Sequence, residues 1–378
     1  TGVFDSDNHP VRISIAEGAR VTLRDATIIG NSAYGKVYDG SGSVYYEYYY
    51  EYAGITCLGD ATITLDGTNK VCGHAACYPG IMPGPSGTTL TINGDGSLEA
   101  YSHGSAPGIG TASRRGRNCG NIIIEGGNIT ATGGDKEYYS PAIGCGEKRE
   151  LGSITLTGGT ITARGGAFAA GIGKCSFSSS GGGGDCKCGT IIIDGSTVYA
   201  YGGTHAAGIG GGKGWSGGDI HILSGNVTAY GGKYGAGIGG GNDGSGGAIW
   251  ITGGTVKAYG GTDAAGIGGG EDGNSGSIVI NGGDVYASGD GYGVGIGAGE
   301  DGDVDYISIN GGTVDAYGGF DIRRAIGGED EEDYEHISIG QGIKVSYISS
   351  GSEYAYPASY RGLLLSLDVR LKFEPCDH

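Results

Sequence analysis

No stretch of this sequence carries the roughly 18 consecutive apolar residues that a membrane-crossing helix needs, so no membrane span is expected. No window of ten or more residues repeats its apolar positions with a helical period either. Basic side chains are scarce: 23 Lys and Arg stand against 41 Asp and Glu, a formal charge of −18. The one basic cluster is Arg114, Arg115 and Arg117. A surface so acidic repels nucleic acid and anionic lipid and invites divalent cations. The chain begins at Thr1 without a basic and apolar leader, so a signal peptide is expected to have been removed or to lie outside this sequence. There is no Gly-x-Ser-x-Gly elbow, no phosphate loop and no convincing Cys/His pairing, which leaves catalysis without a motif.

Cysteine is missing from 189–375, although nine occur elsewhere: Cys57, Cys72, Cys77, Cys119, Cys145, Cys175, Cys186, Cys188 and Cys376. They read as loop cysteines forming disulfides in an oxidising, extracellular setting, with the odd count leaving one thiol over. Cys72, His74 and Cys77 have no second pair at zinc spacing, so a local disulfide or unpaired thiols are expected there.

What the chain does have is glycine, 88 in 378 residues. Collagen is excluded because there is no three-residue glycine period. A disordered linker is excluded because runs of Val, Ile, Thr and Tyr alternate between the glycines as strands do. The chain aligns on a Gly-Ile motif, with isoleucines at 55, 81, 109, 143, 172, 209, 238, 267, 296 and 326. The steps are 26, 28, 34, 29, 37, 29, 29, 29 and 30 residues, a recurring unit of about 29 with two enlarged turns. Within one unit three short extended pieces can be read, for example Ala236–Gly239, Ala248–Thr252 and Thr255–Tyr259. Three short strands per repeat, with bends between them, predict an all-β, single-stranded parallel β-helix (β-solenoid). Roughly a dozen coils at about 4.8 Å each make a rod of about 60 Å.

Residues 1–52 read as N-terminal coils with the tyrosine-rich insertion 45–52, residues 53–342 as the solenoid, and 343–378 as a cap or donated strand. The tail alternates Leu363, Leu365, Leu367, Val369, Leu371 and Phe373 on one face. It either covers the last coil's edge or pairs with another subunit.

In a solenoid, function is read as columns of outward residues on successive coils. An acidic column runs through Asp243, Glu271 with Asp272, Glu300 with Asp301, and Glu329 with Asp330. Carboxylates one layer apart repel by about 1 kcal/mol even in a water-like medium. Ca²⁺ held between these loops and a solvated edge that keeps the rod soluble are both open readings, and Ca²⁺ is the sole cofactor expected. An aromatic column closes the third strand with Tyr201, Tyr230, Tyr259 and Tyr317, while Tyr199 and Tyr286 stand in a neighbouring column. Such rings suit a sugar or simply brace stacked coils. A mid-strand column includes Ile192, Trp250 and Val279, an apolar stripe that suggests a partner. With Leu365, Leu367, Val369 and Leu371 of the tail, these are the interface candidates.

Segments such as 53-AGITCLGDATITLDGTN-69, 88-TTLTINGDGSLEAYSHGSAPGIG-110 and 120-GNIIIEGGNITATGG-134 resemble the glycine-rich "AGIGGG" repeat proteins secreted or surface-displayed by anaerobic, often gut-associated, bacteria. The resemblance covers about 50–340 and implies an extracellular β-solenoid, sometimes labelled carbohydrate-binding, without catalytic residues to carry over. The expected role is an extracellular, non-catalytic structural or adhesive solenoid able to self-assemble into a filament or layer. The alternatives are a carbohydrate-binding module using the tyrosine column, and a calcium-dependent polysaccharide lyase or glycosidase. The expected partners are the chain itself or an extracellular glycan.

Overall fold

A computed structural model describes residues 2–5, 12–30, 34–38, 44–48, 52–73, 77–112, 117–134, 139–176, 187–319, 324–328, 335–340, 343–349, 352–355 and 370–375. The chain winds as a parallel β-solenoid of about 29 residues per coil, with no α-helix among these residues. Three walls recur. The first carries the Gly-Ile motif and is an eleven-stranded sheet, from Ile13–Ile15 to Ile326–Gly327. Every neighbour in it is parallel and places isoleucine on isoleucine, as in Ile209 on Ile238 on Ile267. The second wall holds strands such as Ala248–Ile251 and Ser277–Ile280, and the third holds Thr255–Tyr259 and Asp284–Ser288. In two coils the second and third strands fuse into Ile191–Tyr201 and Asp219–Tyr230, which joins these walls into one sheet. A register shift around Asp194 marks the bend there.

Alternation fixes what fills the interior. In the second wall Ile249 and Ile251 point inward, in the third Val256 and Ala258, and all four are fully buried with Ile238 and Ile267 of the first wall. The pattern repeats coil after coil into one continuous core running from Ile15 to Phe373. Alanine in the third wall and the glycine before most first-wall isoleucines (alanine at Ala142 and Ala325) belong together, because those two walls meet at a narrow apex. A Cβ on Gly237 would lie 2.6 Å from the backbone nitrogen of Tyr259 and 2.7 Å from the carbonyl of Gly266. Two residues on, Gly239 has φ of 135° and its Cβ would come within 2.0 Å of the Gly268 carbonyl. Neither glycine can gain a Cβ unless the backbone around it shifts.

The C-terminal strand Arg370–Pro375 lies antiparallel on the last third-wall strand, Thr313–Tyr317, pairing Val314 with Phe373 and Ala316 with Leu371. Its other edge pairs with Ile343–Ser349. Leu371 and Phe373 are 1% and 0% exposed and close the core. Leu371, expected as an interface residue, therefore packs inside its own chain: an antiparallel strand ends the parallel stack and its inward side chains plug the open cross-section. Leu365, Leu367 and Val369 fall outside the described residues.

The cysteines depart from the loop-disulfide reading. Cys145 is disulfide-bonded, but Cys57, Cys72, Cys119, Cys175 and Cys188 are free thiols, so Cys72 and Cys77 are not bridged. Cys57 and Cys72 sit in strands rather than loops and are fully buried. Burial pushes the thiols of Cys57 and Cys72 up to about 12 and that of Cys119 up to about 11, so they stay protonated and behave as small apolar fillers.

Phe373→Ala is expected to cost about 3–5 kcal/mol through the cavity left under the cap. Because a solenoid is stabilised mainly between neighbouring coils, amide exchange should accelerate at Val314 and Ala316 and stay unchanged at Ile249 and Ile251. Uniform acceleration along the rod would mean that the cap acts on the whole core.

Candidate functional site

The tyrosine column is an axial stack. Parallel pairing puts Arg164, Tyr201, Tyr230 and Tyr259 on successive coils. The rings of Tyr201 and Tyr230 are 5.1 Å apart and those of Tyr230 and Tyr259 4.8 Å apart, each pair within 8° of parallel. The next position is Ser288, which cannot continue the stack. Tyr286, two residues earlier in the neighbouring column, leans across to fill the gap, 5.4 Å from Tyr259 and 5.0 Å from Tyr317. Both ends carry a guanidinium: Arg164 lies 4.1 Å over Tyr201 and Arg370 of the cap 4.6 Å over Tyr317. Arg370 Nε also donates to Asp315 Oδ1 at 2.8 Å, in a fork that seats the cap strand. Sugars stack on ring faces, and here the faces are taken by neighbouring rings and by arginines. The stack offers solvent mainly ring edges and hydroxyls.

The mid-strand column forms as well. Ile192, His221, Trp250, Val279 and Ser308 occupy one line across five paired strands. The rings of His221 and Trp250 lie 4.6 Å apart, tilted by 31°. Ile192, Trp250 and Val279 are each half-buried. Leu223 and Tyr306, also facing outward on this wall, are 39% and 44% exposed.

The acidic column divides into two sets with different causes. Asp243, Asp272 and Asp301 have φ of 61°, 56° and 56°, and the equivalent residue one coil earlier is Gly214 at 76°. This turn needs a left-handed residue, which aspartate tolerates better than most side chains. The turns lock together as the Asp243 and Asp272 amides donate to the carbonyls of Glu271 and Glu300, at 2.8 and 2.9 Å. Stacking like charges has a cost. Burial first, then Asp243 and Asp301, raise the Asp272 carboxyl above its usual range.

Glu271 and Glu300 point elsewhere, toward Asp263. One carboxylate oxygen from each of Asp263, Glu271 and Glu300 lies within 4.8 Å of the others, close enough for one cation to bind all three. Burial, followed by Asp272, Asp263 and Asp243, raises the Glu271 carboxyl. Asn242 Nδ2 donates to Glu271 Oε2 at 2.8 Å, and Asn242 Oδ1 lies 3.3 Å from His205 Nδ1. Asp263 was not among the residues expected from the sequence, and Glu329 and Asp330 fall outside the described residues.

Asp263 belongs to a corner column four residues before each Gly-Ile isoleucine, which also escaped the sequence reading. There Tyr139, Phe168, His205 and Tyr234 stack at 4.9, 4.9 and 5.0 Å. Their backbone carbonyls hold the next coil's acidic turn, accepting from Asn242 at His205 (3.0 Å), Glu271 at Tyr234 (3.2 Å) and Glu300 at Asp263 (3.0 Å). Aromatic stack and carboxylates are thus one continuous corner. The signal was a shared offset from the isoleucine, hidden by changing residue type along the column.

Beta helix repeat is the family whose model matches this chain, in seven segments: 122–147, 154–173, 191–213, 220–242, 249–271, 278–300 and 307–328. No curated protein and no solved structure gives a significant match. Fold and repeats together make this a β-helix repeat protein. Among the described residues no helix is long and apolar enough to cross a membrane.

Asp272→Asn keeps a side chain that tolerates the left-handed turn and removes one stacked charge. It is expected to raise the melting temperature at neutral pH by about 0.5 °C, the scale of a few tenths of a kcal/mol in a chain of this length. Because the folded carboxyl titrates higher than the unfolded one, the ionised form is the destabilising one. The gain should therefore fade as pH drops through the raised folded value toward the ordinary carboxylate range. A pH-independent gain would assign it to the turn instead of the charge.

Proposed function

We propose that this chain is an extracellular, non-catalytic structural or adhesive rod. The observation that carries this reading is that its tyrosine ladder is closed within the chain: the stack runs from Arg164 to Arg370, and the strand carrying Arg370 also places Leu371 and Phe373 in the core. Such a rod holds its shape through neighbour-to-neighbour contacts and presents one repeating edge. The cap favours a rod of fixed length over coil-on-coil growth at the wall it covers. Sedimentation and negative-stain images over a wide concentration range are expected to show a single elongated species. Filaments that lengthen with concentration would replace this reading with self-assembly.

A second reading is favoured by the carboxylate trio. Asp263, Glu271 and Glu300 supply three hard oxygen ligands at the corner, and Ca²⁺ is the cation such a set suits. Calcium is expected to raise the melting temperature of the native chain, with the shift lost in Asp263→Asn and kept in Asp301→Asn, whose aspartate belongs to the turn column. Equal shifts in both variants would show only diffuse screening. The carbohydrate-binding alternative has less support from the tyrosine stack, whose ring faces are occupied. The lyase or glycosidase alternative would need to recruit the same trio.

A further inference from the structure

Tyr230 lies between two parallel phenol rings, 5.1 Å from Tyr201 and 4.8 Å from Tyr259, each within 8° of parallel. In-register pairing carries all three side chains out of the sheet on the same face of consecutive coils. Tyr230 is also 37% exposed, so an oxidant and water both reach it. The other contacts in the stack are less suited to coupling. Tyr286 meets Tyr259 and Tyr317 at 45° and 39° from a different column, and the Tyr317 hydroxyl is engaged by Asp315 at 3.3 Å. Tyr199, although 40% exposed, pairs with Thr162 and Thr228 and has no phenol in register.

We propose that Tyr230 is a site of oxidative cross-linking, joined to Tyr201 or Tyr259 as dityrosine by a one-electron oxidant such as a haem peroxidase with hydrogen peroxide. Each of two phenols loses one electron and its hydroxyl proton. The two radicals then form a carbon–carbon bond between ring positions ortho to the hydroxyls, and the ring hydrogens shift to restore both phenols. The two electrons and two protons reduce one hydrogen peroxide to two waters. The rings must tilt out of the stack to meet, which the exposed edge at Tyr230 permits. Burial and the flanking tyrosines raise the Tyr230 phenol, so at neutral pH its proton leaves with the electron, and exposure supplies the water that accepts it. The product is a covalent rung between adjacent coils, at the C-terminal ends of the strands that carry the tyrosines.

The native full chain, dilute enough that chains seldom meet, is treated with a haem peroxidase and limiting hydrogen peroxide. Dityrosine fluorescence is followed, and linked fragments are mapped by mass spectrometry. A chain of unchanged size is expected, with a fragment pair joining Tyr230 to Tyr201 or Tyr259 and lacking two hydrogens. Tyr230→Phe keeps the ring stack and should melt as the parent does, yet the fragments containing Tyr201 and Tyr259, now two rungs apart, should stay unlinked at the level of the unoxidised chain. The proposal is overturned if the parent yields no link at Tyr230, or if links arise only within the tyrosines of 45–52 or between chains. It is equally overturned if Tyr230→Phe links Tyr201 to Tyr259 as readily as the parent makes its own link.

Discussion

In-register stacking of one coil on the next is the constraint on which everything else in this molecule depends. A parallel ladder gives each strand the same residue type above and below, so a favourable choice is repeated and so is an unfavourable one. The Ile column of the first wall, the Ile pairs of the second and the Val/Ala pairs of the third turn that repetition into a continuous dry core. The glycines follow from it. The backbone of Tyr259 at the end of the third wall leaves Gly237 no room for a Cβ, and the next first-wall strand at Gly268 leaves Gly239 none. The entropy that glycine loses on folding is offset by the burial this close approach allows.

Outside the core the same repetition selects which ladders are tolerable. Phenol rings repeat well because offset-stacked rings attract at about the coil spacing, and guanidinium groups terminate them favourably. Carboxylates repeat poorly, and Asp272 and Glu271 titrate high for that reason as well as through burial. The acids persist because two requirements coincide at the corner. One is a turn that needs a left-handed residue, met by Asp243, Asp272 and Asp301. The other is a cluster built from Glu271, Glu300 and Asp263. Only the second set carries geometry suited to a ligand.

The C-terminal end of the rod is handled differently from its middle. The repeat itself offers no stopping signal, since each coil exposes a parallel edge like the one it has just covered. The C-terminal strand supplies the stop by reversing direction, placing Phe373 and Leu371 in the core and Arg370 on Tyr317. One short segment thus ends the parallel pairing of the third wall and the aromatic stack, and adds the last two large side chains to the core.

Coil length, the three walls and the inward residues were legible in the residues alone, because a period of about 29 and strict alternation leave one arrangement that buries Ile238, Ile249 and Val256 at once. The sequence also placed Tyr201, Tyr230 and Tyr259 in one column, since they share a position in the repeat. Tertiary structure alone decided the rest. That Tyr286 crosses columns depends on the space left by Ser288. That Asp263 joins Glu271 and Glu300 depends on how a corner folds back on the next coil's turn. That Asp272 serves the backbone depends on φ, which a residue name does not reveal. Strand positions are fixed by period and pleat, whereas corners are fixed by torsions and by what the neighbouring coil leaves open.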